Sequence, residues 1–382
     1  MFSKEKIKFF ICVLSLIFFL NGVTVLADEI DNSKSIDGIK ATVTDIITTN
    51  EKNISKAENE GGIKEQQVKV LINTGNHKGE SIIILNSVDT SMSNDFLLHK
   101  GDEILISIEE TDGNIVKAYM YEYARDKYLL YLVLGFVVLM ILIGGIKGLK
   151  SIFTLGVTVL AILKLLPTLL LRGYDPIKTS VVMSVGIIIF TLLVVSGSNR
   201  KTVASIIGTS CGVAIAGVIA KIVGDLTKLS GYGTEESQML MYIPQNIKFD
   251  YKGLLFAAIL MGALGAIMDI SMSIASAMNE IDDANPNIST ASLMKAGMSV
   301  GHDIMGTMSN TLILAYVGAS LQSVILLIAY KVSFIDIINQ NIIATEVVRA
   351  LSGSIGLIAS IPITVLASGM LRKREIEKSL DI

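Results

Sequence analysis

The chain has 382 residues, a formal net charge of −3 and a mean hydropathy of +0.60. Hydrophobic residues make up 51% of it and charged residues only 18%, whereas an ordinary soluble domain has about 25% charged residues. Because so little charge cannot cover a water-facing surface of this size, the composition predicts a polytopic membrane protein. The near-neutral balance excludes wholesale nucleic-acid binding. The two cysteines, Cys12 and Cys211, lie in apolar runs, which excludes a disulfide framework and a zinc site.

Residues 1–27 have the pattern of an export signal. Lysines form a basic start, an apolar run follows at 9–20, and Val25-Leu26-Ala27 offers the small residues that a signal peptidase accepts. The alternative is an uncleaved N-terminal anchor helix, although the apolar core is short for a span of about 20 residues. In both cases residue 28 starts outside the cytoplasm.

Residues 28–127 have the composition of a small soluble domain, and the sequence predicts an extracytoplasmic all-β domain here. Five runs alternate between apolar and polar residues, with turn signals between them: 39–47, 67–73, 81–85, 103–108 and 115–121. Five short strands fit a small barrel or sandwich, and we expect an OB-like barrel. The charged, glycine-containing stretch 50–65 is predicted to be a loop.

The transmembrane domain is predicted to cover 128–373, because apolar runs long enough to cross a bilayer as helices follow one another there. About seven spans are expected, near 128–146, 152–171, 177–197, 203–223, 253–275, 304–329 and 347–371. A long inner loop is predicted at 279–299, ending in an interfacial or re-entrant segment. After seven crossings the tail, 374–382, is expected in the cytoplasm of a multi-pass protein of the cell membrane.

The positive-inside rule supports this predicted topology. Lys147, Arg200 and the basic run at 372–374 fall on the inner side, whereas Arg172 and Lys178 fall outside. The agreement with the rule is therefore good, with two exceptions.

Four predicted helices carry polar or charged side chains in the apolar region, where such groups are costly and need a partner or water. Lys164 lies in the middle of the second span. In the fifth span Asp269 shares one helical face with the residues at i+4, i+7 and i+11. The candidate residues for a polar intramembrane cavity are Lys164, Asp269, Ser273, Ser276, Glu280, His302, Asp303, Asn310, Glu346 and Arg349.

Two interpretations of these residues stay open. In the first they line a pathway for an ion, a proton or a small polar solute. In the second they are buried pairs, such as Lys164 with Asp269, that hold helices together. Small residues predicted to let helix backbones pack closely are Gly208, Gly212, Ala216, Gly262, Gly265 and Ala266.

The motifs of common enzymes are absent from the sequence. It has no HExxH helix, no GxSxG elbow, no P-loop and no GxGxxG after a strand. Three histidines in the whole chain argue against a multi-histidine metal site, and no cofactor or catalytic residue is expected. An intramembrane enzyme, with Asp269 and Asp303 activating a water, is the weakest alternative.

Distinctive stretches occur in both halves of the chain: 67–79, 100–102, 262–277, 301–316, 348–357 and 361–364. They resemble the YibE/F-like family of multi-spanning membrane proteins of Gram-positive bacteria over nearly the whole mature chain. The resemblance implies the membrane placement and the helix count. It carries over no substrate, activity or site residue.

Two functions therefore remain. The first is a permease or channel-like translocator of an ion or small polar solute, in which Asp269 carries the proton or cation and Lys164 or Arg349 neutralises it. No ATP-binding motif is present, so a gradient or a separate subunit would supply the energy. The second is a non-transporting membrane scaffold or sensor whose outer β domain binds a ligand or partner. Both functions place the chain in the lipid bilayer, and a homo-oligomer or a membrane partner subunit is compatible with either.

Overall fold

The computed structural model describes residues 35–52, 63–89, 97–111, 113–233, 235–242 and 250–380. The chain divides into two compact units. Thr24–Leu139 contains the strands and the start of the first helix, and Met140–Ile382 contains the remaining helices. The predicted export signal at 1–27 lies outside the described residues.

The first unit contains one five-stranded antiparallel sheet in the order β3-β2-β1-β4-β5. Its strands are β1 (Ser35–Lys52), β2 (Ile63–Ile72), β3 (Ser81–Asp89), β4 (Glu103–Thr111) and β5 (Asn114–Tyr123). All five predicted strands are therefore present. The predicted loop at 50–65 is too long, because β1 and β2 continue their pairing as far as Lys52 opposite Ile63.

Alternating apolar side chains explain why this sheet folds on itself. Val43, Val68, Val70 and Ile106 are almost completely buried in one cluster, while intervening residues face outward. The edge strands β3 and β5 approach each other, so the sheet is nearly closed and barrel-like. The OB-like type of barrel stays a prediction.

The second unit and the segment leading into it are helical. The helices are α1 (Asp126–Leu160), a π-helical turn (Ala161–Leu165), α2 (Leu166–Leu171), α3 (Pro176–Ser196), α4 (Arg200–Leu226), α5 (Glu235–Met239) with a 3₁₀ turn (Leu240–Tyr242), α6 (Tyr251–Ala284), α7 (Thr290–Ala319), α8 (Leu321–Ala329), α9 (Phe334–Asn339) and α10 (Asn341–Leu380).

The first two predicted spans lie in one long helical segment, Asp126–Leu171. A straight helix of 46 residues would be roughly 69 Å long, more than twice the hydrocarbon thickness of about 30 Å. Gly145 breaks it with φ 52° and ψ −132°, at the end of the first predicted span. The π-helical turn precedes Pro167, whose ring clashes with the carbonyl four residues earlier in a regular helix.

The described residues contain five helices long and apolar enough to cross a membrane, or six if α7 and α8, bent by 54°, form one span. They indicate a multi-pass membrane protein, while the count of seven stays a prediction. The predicted inner loop at 279–299 is wrong. α6 continues to Ala284, and α7 begins at Thr290 because the Ser289 hydroxyl accepts a hydrogen bond from the Ser292 backbone N–H.

Small residues set the tightest contact of the helical unit, between α4 and α10. A Cβ at Gly208 would overlap the Thr364 hydroxyl, and one at Gly212 would come within 2.8 Å of the Gly356 carbonyl. Gly356 in turn lies against Ala216. The close packing predicted for this glycine stripe is confirmed.

Candidate functional site

Asp269 lies on the side of α6 that faces away from the protein core. The opposite side of this helix buries Ile267, Ile270 and Ile274 against neighbouring helices. We call Gly262, Gly265, Asp269 and Ser273 the outward face of α6, because all four are exposed in the described structure.

Asp269 lies near the middle of α6, a helix long and apolar enough to cross a membrane. Asp269 is thirteen residues from Asp282 near the C-terminal end of α6 and sixteen from Gly253 near its N-terminal end, roughly 20 Å and 24 Å at 1.5 Å per residue. A bilayer core is about 30 Å thick. The Asp269 carboxylate makes no hydrogen bond or ion pair with any residue that the structure describes.

α7 also turns polar side chains outward at a similar depth. It buries Gly297, Gly301 and Leu312, while Asp303 and Asn310 lie exposed on the opposite side. Asp303 is thirteen residues after Thr290, roughly 20 Å along the helix. His302 is exposed beside them.

α6 and α7 run antiparallel, and the contacts between them show which residues of the two helices lie at the same height. Gly297 lies beside Met278, and Gly262 lies beside the Tyr316 hydroxyl. Asp269 therefore lies at the level of Gly306. No described atom lies within 4 Å of the Cβ position of Gly265 or of Gly306, so both faces border open space.

A second polar group connects α10 to α7 further along the bundle. The Arg349 Nη1 atom lies 2.8 Å from the Glu346 Oε1 atom, and the guanidinium lies 5.7 Å from the centre of the Tyr316 ring. Glu346 Oε2 and Arg349 Nε are buried, with no hydrogen-bond partner among the described residues. Of the ten candidate residues, Glu346 and Arg349 are the pair that the structure brings into direct contact.

The other candidates lie apart from this pair. Lys164 is exposed in the π-helical turn, and the predicted pair of Lys164 with Asp269 does not form in the described structure. Ser276 is half-buried and Glu280 exposed further along α6. The candidates therefore do not all lie together in the described chain.

A charged network that was not predicted from the sequence lies where the start of α4 meets the C-terminal parts of α6 and α10. The Arg372 Nε donates to Asp282 Oδ1 at 2.7 Å, and its other nitrogens donate to the Thr290 hydroxyl and the Pro286 carbonyl. Arg200 Nη1 lies 3.6 Å from the second oxygen of Asp282. The sequence contains these charges, but their contact depends on helix packing and has no local signal.

The chemistry open to the outward face of α6 is that of its carboxylate. A carboxylate at mid-membrane without a protein partner can take up a proton or a cation. No group of three His, Cys, Asp or Glu side chains that could hold a metal ion occurs in the described part of the chain.

Comparisons with known proteins identify the family. The model of the YibE/F-like protein family matches residues 132–374, and the model of the YibE/F family N-terminal domain matches residues 36–123. No match was found among curated proteins or among solved structures. Since the first match covers more than half of the chain and the second covers the β-sheet, the chain belongs to the YibE/F family.

Proposed function

We propose that the chain is a translocator of a cation, a proton or a small polar solute, with its pathway along the outward faces of α6 and α7. The observation that carries the proposal is Asp269, a carboxylate exposed at mid-membrane depth. In this function Asp269 takes up the proton or cation. No enzymatic activity is part of the proposal.

The cost of charge in lipid supports a hydrated pathway. An Asp at the centre of a membrane helix costs about 2.5 to 3.5 kcal/mol even on the mildest scales. Asp303 and Asn310 add further polar groups at similar depth on α7. Direct lipid contact for all of them would be too costly, so water or a further protein surface must border this side of the bundle.

The buried polar side chains of the bundle do not compete for this role. Ser205 and Thr364 are completely buried, and their hydroxyls donate to backbone carbonyls of their own helices. Such groups contribute to packing between α4 and α10. The groups that face open space are instead those of α6 and α7.

Flux through reconstituted protein tests the proposal. We expect the intact chain in proteoliposomes to conduct protons or a monovalent cation, and Asp269→Asn to reduce flux to the level of empty vesicles, because the amide cannot exchange a proton. Asp225→Asn is the matched control, since Asp225 is exposed near the end of α4 and pairs loosely with Lys252 at 3.9 Å. It should leave flux unchanged.

Two results would overturn the proposal. One is full flux in Asp269→Asn. The other is an absence of flux of protons, monovalent cations and small polar solutes in the folded, intact chain.

A membrane scaffold or sensor is the second candidate, and one observation favours it. The edge strands of the β-sheet expose large apolar side chains, among them Ile83 and Leu85 on β3 and Tyr119 on β5. Apolar side chains exposed on a sheet surface are typical of sites that bind a partner protein. If this function is correct, Ile83→Lys in the intact chain should abolish copurification of a crosslinked partner from membranes, whereas Asp269→Asn should not.

A further inference from the structure

We propose that the cleft between the inner ends of α4, α6 and α10 binds a phosphate group, either of an anionic lipid headgroup or of a free phosphate. This site is separate from the pathway along α6 and α7, and it does not depend on translocation. The cleft is small and partly open to its surroundings. Its charged and polar lining residues are Arg200, Lys201, Asn279, Asp282, Ser368 and Arg372.

The charges of the cleft favour an anion. Arg200, Lys201 and Arg372 provide three cations, and Asp282 provides the one carboxylate of the lining. Asp282 neutralises part of this charge, because both arginines lie within ion-pair distance of it. Asp283 lies next to the cleft and accepts a hydrogen bond from Asn279. An excess of positive charge remains in the lining itself.

The cleft is a built site rather than a cluster of mobile surface lysines. Arg372 is only 5% exposed and is fixed by hydrogen bonds to Asp282, Thr290 and the Pro286 carbonyl. The Ser368 hydroxyl is buried and has no hydrogen-bond partner among the described residues. A buried hydroxyl without a partner is costly, and an oxyanion in the cleft would accept its hydrogen bond.

The start of α4 adds a second source of positive potential. Arg200 is the first residue of this 27-residue helix, and the Asn199 side chain caps it by accepting from the Thr202 backbone N–H at 3.0 Å. Helix N-termini favour anions because their N–H groups and the helix dipole are positive there.

The position of the cleft along the membrane fits a phospholipid phosphate. Arg200 begins one apolar span and Arg372 ends another, so the cleft lies where the hydrocarbon region gives way to headgroups. Basic pockets between membrane helices at this level bind anionic headgroups. A second cleft at the opposite ends of these helices contains Lys221 and Lys252 together with Asp225 and Asp250, and this balance gives no preference for an anion.

Thermal unfolding of the purified chain in a neutral detergent tests the site. The probes are phosphatidylglycerol, phosphatidylcholine with the same acyl chains, and inorganic phosphate. We expect an anionic probe to raise the unfolding midpoint, because a ligand that binds only the folded state stabilises it. Lys201→Gln and Ser368→Ala should each lose most of this rise, whereas Lys221→Gln in the opposite cleft should keep it.

The three probes distinguish the source of the phosphate. A rise with phosphatidylglycerol alone supports a lipid headgroup, and a rise with inorganic phosphate as well supports a free phosphate group. The proposal is overturned if neither anion raises the midpoint, if phosphatidylcholine raises it equally, or if Lys201→Gln and Ser368→Ala keep the full rise. Flux measurements do not enter this test, so its failure leaves the proposed translocator untouched.

Discussion

Arg372 is the side chain whose removal should most damage the folded helical unit. It is almost fully buried against Asp282, so Arg372→Met leaves a largely buried carboxylate with only the more distant Arg200. Removing one partner of a buried ion pair typically costs 3–5 kcal/mol, and we expect a loss of about 3 kcal/mol in the free energy of unfolding. Reversible unfolding in mixed micelles measures this quantity.

Two further variants control this prediction. Arg172 is exposed and makes no ion pair with the described residues, so Arg172→Met should change the free energy of unfolding by less than about 0.5 kcal/mol. The double variant Arg372→Met with Asp282→Leu should be more stable than Arg372→Met alone, because the largely buried carboxylate that loses Arg372 is removed as well. A double variant as unstable as the single one would contradict this account.

His77 should make the stability of the β domain depend on pH. Its Nδ1 lies 3.0 Å from Glu80 and its Nε2 lies 2.9 Å from Glu110. The hydrogen bond with Glu80, reinforced by Glu110, raises the pKa of His77 above its ordinary value of about 6.5. Because the folded-state pKa is the higher one, the stabilisation is complete below about pH 6.5 and is lost as pH rises through the folded-state pKa.

Thermal unfolding of the intact chain across pH 5.5 to 8.5 checks the role of His77. The difference in midpoint between the native chain and His77→Gln should be largest at the acidic end and should shrink as the pH rises. A difference that stays constant, or that grows with pH, would show that His77 is not charged between the two carboxylates.

At the scale of helices, glycines with different surroundings should respond differently to the same substitution. A Cβ at Gly208 on α4 would overlap Thr364, whereas the position at Gly265 on α6 has no described atom within 4 Å. Overpacking costs about 1–3 kcal/mol, so Gly208→Ala should destabilise the protein by that amount. Gly265→Ala should be neutral or slightly stabilising, because Ala favours a helix by up to about 1 kcal/mol.

Unfolding free energies of the two glycine variants in the same detergent give the comparison. Equal losses of unfolding free energy for both variants would mean that Gly265 is packed as tightly as Gly208. The conclusion that this side of α6 borders open space would then be wrong.

Elements with a local signal could be predicted from the sequence. Alternation and turn residues located all five strands, and unbroken apolar runs located α3, α4, α6 and α10 and part of α7. Hydropathy misplaced the boundaries of the loop between α6 and α7. The small and polar residues at 291–299 lower the hydropathy, but the helix continues through them. There, side-chain capping by Ser289 decides where α7 begins.

Contacts between distant residues could not be predicted from the sequence. The spacing of Asp269 and Ser273 put them on one side of a helix. It could not show that this side faces away from the core. The pair of Glu346 and Arg349, at i and i+3, is local and does form. The network of Asp282 and Arg372 depends on three helices meeting, for which a single sequence carries no signal.

At the scale of the whole molecule, the YibE/F family chain combines two units with different surfaces. The barrel-like sheet buries an apolar core of its own, whereas the helical unit exposes apolar side chains widely, as expected in lipid. The polar outward side chains of α6 and α7 are exceptions among the described residues of the helical unit. Our account depends on water reaching this side of the bundle.

Thiol labelling of the intact chain in membranes tests this claim most directly. Ser273→Cys on the outward face of α6 and Ile355→Cys, exposed on α10, are compared in a background without Cys12 and Cys211. Because maleimides react with the thiolate, which forms readily only in water, a charged membrane-impermeant maleimide should label Ser273→Cys and spare Ile355→Cys. If Ser273→Cys in the folded protein is labelled no faster than Ile355→Cys, the outward face is dry and the proposed pathway does not exist there.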